Sequence, residues 1–310
     1  MAPPPRSRAS SFVWVVVAYL LAGIAAWLVA ARLANEHPLW LVVLAADVVA
    51  TCVVFASSVV ANNSSMYDPY WSIAPMAIAP AIAMTHSQSA SSLRSWIVTA
   101  LVLWWGARLT WNWARGWDGL GHEDWRYVDL RGKTGKAYWL VSFLGLHMMP
   151  TLWVYLGCLS LIPSLATSAA PLGVLDVVAL VITVGAIAIE TIANQQLRAF
   201  RRGKRVPGEI MKSGLWAYSR HPNYLGEVSF WWGMFAFALA ADRAAWWCIA
   251  GPLAINLLFV FISIPLLEKR SVERRPAYRE HMKRVPGLVP RFGRKASADD
   301  SSEREGGSSS

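Results

Sequence analysis

The sequence predicts an all-α fold, a polytopic transmembrane bundle of seven or eight helices. Three observations carry that reading. The 310-residue chain is 55% hydrophobic and 15% charged, with a mean hydropathy of +0.36, too apolar for an ordinary soluble domain. It holds several runs of the roughly 20 apolar residues that span a bilayer as a helix. Its formal net charge of +10 comes from residues lying between those runs and beyond the last one. That is the pattern of positive-inside orientation, not of a nucleic-acid surface.

Residues 12–31 are the first run, after a short N-terminal segment, 1–11. No small-x-small cleavage site leads from it into a soluble region, so it reads as a transmembrane helix and not a signal peptide. Runs 38–61, 93–113, 138–165, 172–197, 224–240 and 244–267 follow. Residues 70–84 are apolar but short and interrupted by Pro75 and Pro80, which suggests a kinked or re-entrant segment or an eighth crossing. Stretch 198–220 holds Arg198, Arg201, Arg202, Lys204, Arg205, Lys212 and Arg220 against Glu209, and the stretch after 267 is also basic. Both should face the cytoplasm, and counting back over eight spans places the N-terminus there too. An inner or plasma membrane is the default location. Membrane domain 12–290 is followed by a polar tail, 291–310, read as disordered. Cys52, Cys158 and Cys248 lie in apolar runs without metal-ligand spacing, so they read as buried structural thiols and no metal is expected.

Ionisable side chains inside spans are costly and mark candidate functional sites. Arg108, Asn112 and Arg115 follow i, i+4, i+7 spacing, and Glu190, Asn194 and Arg198 follow i, i+4, i+8. Asn223 and Glu227 are spaced i, i+4 after Pro222, which suits a first helical position. All three stripes approach the expected cytoplasmic face and together suggest a basic pocket with interior carboxylates, suited to a polyanion such as a nucleotide. No GxGxxG or GxxxxGK[ST] string occurs, so a nucleotide would need a helical membrane site. His147 and Asp47 lie mid-span and read as structural hydrogen-bonding groups.

The string Gly214–Glu227, GLWAYSRHPNYLGE, carries a resemblance. With Pro207-Gly208-Glu209, Tyr278 and residues 285–290, it resembles the C-terminal domain of steroid 5-alpha-reductases and their bacterial relatives, most strongly over 190–290. Upstream, residues 62–75 (NNSSMYDPYWSIAP) and 108–116 (RLTWNWARG) look like the bacterial branch. The resemblance implies seven or more membrane helices enclosing NADPH, and reduction of an enone double bond. It implies that Asn223 and Glu227 contact the nicotinamide end, and that Arg205 and Asn194 line the ribose and phosphates. Arg108 would belong to the same cofactor pocket, with Asn112, Arg115, Glu190, Arg220, His221 and Tyr224 as further candidates around it. His221 fits a cofactor-loop role better than catalysis. In the steroid enzymes a Glu and a Tyr from the N-terminal helices hold the substrate carbonyl. Here the aligned Tyr position holds Trp105 and no Glu stands upstream. Tyr70 is therefore the first candidate for polarising the carbonyl, with Asp68 its partner and Tyr67 or Tyr224 as alternatives. The substrate need not be a steroid; another conjugated lipid ketone fits.

Two rivals remain. Isoprenylcysteine and phospholipid methyltransferases, which use S-adenosylmethionine, carry a similar RHPxYxxE-like string, matched by Arg220, His221, Pro222, Tyr224 and Glu227. Asn223, Gly226, the PGE element and DPYW favour the reductase. A transporter would place polar groups in paired repeats near the midplane, and no internal repeat is present.

Overall fold

The structure is a computed structural model that describes residues 7–86, 92–167, 170–203, 206 and 208–290. Arg205, Lys204, Pro207 and the tail 291–310 lie outside the described residues. All described elements are helical, with no strand among them. Five stretches are long and apolar enough to cross a membrane: Arg8–Leu33, Leu39–Ala61, Trp125–Cys158, Val174–Arg202 and Arg243–Arg274.

Helix α1 (Arg8–Leu33) starts at Ser7, whose side chain accepts from the Ser10 N–H, a standard N-cap. Helix α2 (Leu39–Ala61) pairs with it and stops at Asn62, which adopts φ +52, a left-handed conformation that Asn tolerates. After a 3-10 turn, Ser64–Tyr67, helix α3 (Tyr70–Thr85) runs without a break although Pro75 and Pro80 lie inside it. Its far end packs against the π-turn at Pro163–Thr167.

Helix α4 (Ser92–Gly116) returns, followed by α5 (Trp125–Thr134), a short polar helix with Asp124 as its N-cap. The expected run 138–165 appears as α6 (Tyr138–Val141), a π-turn (Ser142–Met148) and α7 (Met149–Cys158). Next come α8 (Val174–Arg202), α9 (Pro222–Ala241), α10 (Ala250–Leu257), α11 (Ile264–Arg274) and α12 (Tyr278–Arg284). Helices α5 and α12 have no long apolar run to announce them, and so were not expected.

Side-chain bonds sort the helix ends into two groups. At one end Arg8 donates to the Ala114 carbonyl, Asn63 to those of Leu120 and His122, Arg131 to Asn62 and Arg198 to Asn112. At the other, Tyr155 donates to the Trp40 carbonyl. There Arg94, fully buried, grips Asp176 with two bonds of 2.7 and 2.9 Å and also donates to the Ala170, Pro171 and Ala240 carbonyls. That clamp satisfies one carbonyl at the end of α9, Ala240, and two in the segment before α8.

Helices α8 and α9 pack most extensively. A Cβ on Gly226 would lie 2.6 Å from the Glu190 Cβ and 2.7 Å from the Ala186 carbonyl oxygen, and one on Gly233 would meet Thr183 Oγ1 at 2.1 Å. Glycine is what lets the backbones touch, as is usual between membrane helices. Cys158 and Cys248 are buried, as expected for structural thiols, but Cys52 is exposed on the outer side of α2.

Candidate functional site

A cavity of about 780 Å³ opens at the end of the bundle where α8 finishes and α9 begins. Its wall includes Leu197, Phe200 and Arg201 from α8, Gly208–Met211 and Trp216 from the connecting loop, and Arg220, His221, Asn223 and Tyr224. Leu267, Ser271 and Arg274 of α11, Arg275 just beyond its end, and Tyr278 and His281 of α12 close the other side. The loop chain can turn here because Gly208 and Gly214 have φ of +87 and +60, values glycine adopts without strain. Helix α9, 20 residues long, points its N-terminus at this space with Pro222 at the first position. Such an end carries positive potential and free N–H groups. Asn223 Oδ1 is buried there with no hydrogen-bond partner, an orphaned acceptor that a ligand donor would satisfy.

The segment Ser219–His221 is held by the chain's C-terminal part. The backbone N–H groups of Arg220 and His221 donate to the Pro286 and Gly287 carbonyls at 3.0 and 3.1 Å. The Arg220 guanidinium bonds Glu268 at 2.7 Å and the carbonyls of Met282 and Val285. His221 Nε2 lies 3.1 Å from the same Glu268 oxygen, and its ring stacks on Tyr224. Arg220 is thus mainly a clasp, and His221 lies on the cavity wall. Burial, helped by the charges of Lys212 and Arg220, pushes His281 down to about 4, so this wall residue stays neutral at neutral pH.

Behind the cavity lies a buried cluster. Glu227 accepts three indole N–H bonds: Trp71 of α3 at 2.9 Å and Trp231 of α9 at 3.0 Å on Oε1, and Trp105 of α4 at 3.1 Å on Oε2. Trp105 also stacks on Phe230, with ring centroids 4.4 Å apart. Next to Glu227, Glu190 forms a 2.6 Å ion pair with Arg108. The polar stripes of α4 and α8 therefore meet each other, Arg108 with Glu190 and Asn112 with Arg198 at 2.7 Å. This corrects the expectation that all three stripes face one open pocket, because opposite charges on facing helices pair before they line a space. Arg115 is exposed, with its guanidinium over the Trp111 ring. Asn194 is half-buried on α8, away from the cavity wall. Of the expected cofactor residues, Arg220, His221, Asn223 and Tyr224 line the cavity. Arg201, Arg274 and Arg275, which supply its basic wall, had been read only as orientation charges.

The N-terminal helices hold a second polar group. The Tyr70 hydroxyl donates to Asp47 Oδ1 at 2.6 Å, and Asp47 Oδ2 is buried with no partner. Tyr70 also stacks on Tyr67, with ring centroids 5.0 Å apart. The expected pairing of Tyr70 with Asp68 is not found. Asp68 faces the other way, accepts from the Tyr127 hydroxyl and lies 3.9 Å from the Arg126 guanidinium. Its neighbours come from α5, a helix the apolar runs did not announce. Burial raises Asp68 to about 6 although Arg126 and Tyr127 oppose the shift. Asp47, read as a structural group without a partner, is the carboxyl that Tyr70 uses. One turn of spacing cannot reveal a contact between different helices. Among the described residues no group of His, Cys, Asp and Glu is arranged to hold a metal ion.

Comparison with known proteins gives two matches. The family described as "Protein of unknown function (DUF1295)" matches residues 54–285. An uncharacterized protein of Schizosaccharomyces pombe is 30% identical over 263 residues, covering 77% of this chain and 76% of the yeast protein. No solved structure matches the chain.

Proposed function

The chain belongs to the DUF1295 family of proteins of unknown function, and from that premise we propose that it is a membrane-embedded, NADPH-dependent reductase of a conjugated lipid or steroid-like ketone. The observation that carries this reading is the cavity at the start of α9. It combines Arg201, Arg274 and Arg275, a helix N-terminus and the orphaned Asn223 oxygen around the string that resembles the steroid reductases. A volume of about 780 Å³ lies within the range of small-molecule and cofactor sites. Guanidinium groups bind phosphate oxygens with two parallel bonds, so the basic wall suits the phosphates of a dinucleotide. Asn223 and Tyr224 stand where the string enters the bundle. Glu227, locked by three indoles one turn further in, fixes the floor beneath them.

NADPH, when bound, would supply a hydride for the β-carbon of the enone. The chain's part is to hold the ketone among α2, α3 and α9 and to meet the charge that develops on its oxygen. When Asp47 takes up a proton, its carboxyl donates to Tyr70 Oη across the 2.6 Å contact, and the phenol's own O–H turns to donate to that oxygen. A preorganised donor of this kind is commonly worth about 10²–10³ in turnover. The helix-end bonds described above support eight crossings with both termini at the cytoplasmic face, in an inner or plasma membrane. The basic loops keep the cavity on that side.

One observation favours a second reading. The RHPNYLGE string is also close to that of membrane methyltransferases, whose cofactor would use the same cavity. S-adenosylmethionine carries a sulfonium cation and no phosphate, and a wall with three arginines suits it poorly. A thermal-shift titration separates the two, since a ligand stabilises the fold it binds by mass action. NADPH raises the Tm of the purified protein if the reductase reading holds. A rise with S-adenosylmethionine and none with NADPH would overturn it.

A further inference from the structure

The deepest buried hydroxyls of the N-terminal half form a column leading from the cavity-side face to Asp47, and the reduction proposed above consumes one proton for each hydride. Glu123, on the loop before α5, keeps some contact with water, its side chain 13% exposed. The Tyr138 hydroxyl donates to it at 3.3 Å and shares a 2.7 Å bond with Ser64 Oγ. Ser64 shares a 3.0 Å bond with Ser142, whose Oγ lies 3.5 Å from His147 Nδ1. The imidazole lies against the Tyr67 ring, with centroids 4.8 Å apart. From the Tyr67 hydroxyl the column continues to Thr151 at 2.6 Å and on to Thr51 at 2.7 Å. Thr51 adjoins Tyr70, which holds Asp47.

We infer that this column is the proton-entry route of the reductase, carrying protons from Glu123 to the Tyr70–Asp47 pair; the inference rests on the function proposed above. Three features distinguish it from ordinary packing between membrane helices. The groups from Ser64 to Thr51 are hydroxyls or an imidazole, each able to accept on one side and donate on the other. Its outer end is a carboxylate in contact with water. Its inner end is a carboxyl with one oxygen unpartnered, whereas a purely structural network fills its acceptors. The crossing from His147 to Tyr67 has no direct hydrogen bond, since His147 Nε2 lies 3.3 Å from Ser58 Oγ, and the proton passes there when the imidazole, which sits in the π-turn Ser142–Met148, turns towards the Tyr67 side. Such turns recur at functional sites.

The chemistry balances. A hydride joins the β-carbon of the enone, the C=C electron pair moves onto the carbonyl oxygen bonded by Tyr70, and the α-carbon gains a proton as the carbonyl re-forms. One NADPH is oxidised to NADP⁺ and one proton is taken from water. Tyr138, Ser142 and His147 are positioning and relay residues that do not touch the substrate.

The test uses the full-length protein in detergent or nanodiscs, without substrate. Infrared difference spectroscopy follows deuterium exchange of the Tyr70–Asp47 band, assigned with Asp47→Asn, after a jump into D₂O. The expected result is exchange slowed at least tenfold in Tyr138→Phe and His147→Ala, with Tm reported alongside. Added imidazoles restore His147→Ala, the faster the more basic the imidazole, and leave wild type unchanged. Turnover with NADPH and an enone then falls in the same variants, with unchanged KM and a larger solvent isotope effect. Wild-type exchange rates in both folded variants overturn the route even if the protein is a reductase. Slowed exchange in a protein that does not oxidise NADPH overturns the reductase reading and leaves the column as a route for another reaction.

Discussion

Glu227 and Asp47 are both carboxyl groups buried within the bundle, yet their surroundings differ. Glu227 takes three indole N–H bonds from α3, α4 and α9. Asp47 takes one from a phenol and leaves an oxygen without a partner. The first carboxyl ties three helices together and has little capacity for more. The second holds a neighbour in place and still has an acceptor to offer. In the proposed reductase the C-terminal half supplies a fixed frame and the cofactor cavity, while the N-terminal half supplies adjustable proton chemistry. The two functions should separate under mutation.

The largest expected effect lies on the N-terminal side. Tyr70→Phe should lower kcat by about 10²–10³ with NADPH affinity unchanged, read by steady-state kinetics and a binding titration. An equal loss of NADPH affinity would merge the two halves. On the cavity side, Arg274→Ala removes one charge-assisted bond, worth about 1.5–3 kcal/mol. NADPH affinity should fall roughly tenfold to a hundredfold, with kcat at saturating cofactor retained. Gly226→Ala tests the frame: its methyl group would meet the backbone of α8 at 2.7 Å, and overpacking of this kind costs about 1–3 kcal/mol. A lower Tm is expected, and an unchanged one would mean that α8 and α9 are looser than described.

The smallest effect concerns acid. The folded pKa of His281, about 4, lies below its free value of 6.5. As pH falls from 6.5 towards 4 the unfolded chain takes this proton first, so stability present above 6.5 is lost. Asp68, raised to about 6, works the other way over its own window from 3.8 upward, because the folded carboxyl is protonated first. The readout is therefore the difference between variants: His281→Asn should lose less Tm between pH 6.5 and 4 than wild type. An identical loss would place the acid sensitivity elsewhere.

Much of the frame was legible in the sequence because long apolar runs and basic loops obey the bilayer's constraints. The residues 70–84 were ambiguous, since two prolines weaken a helix in isolation and only packing against neighbours keeps it whole. Helices α5 and α12 are polar and short, so hydropathy carried no signal for them. In the site, Asn223, Tyr224 and His221 were found because they sit in one contiguous string. Arg108 and Glu190 were read as lining an open pocket but pair with each other, because spacing along a helix does not say which helix it faces. Asp47 was missed as a partner of Tyr70 for the same reason. A signal did exist: it is a lone carboxyl inside an apolar span, and such groups are costly unless used. The arginines at the end of α11 were visible as charge but not as a wall, because α12 and the 285–288 segment fold back to close the space.

The most direct test of the central claim is hydride tracing with purified protein, NADPH deuterated at C4 and a panel of lipophilic enones. The account predicts a saturated ketone carrying deuterium at the β-carbon, formed together with NADP⁺ and nearly abolished in Tyr70→Phe. Unlabelled enone recovered intact, together with methyl transfer when S-adenosylmethionine is supplied, would contradict it.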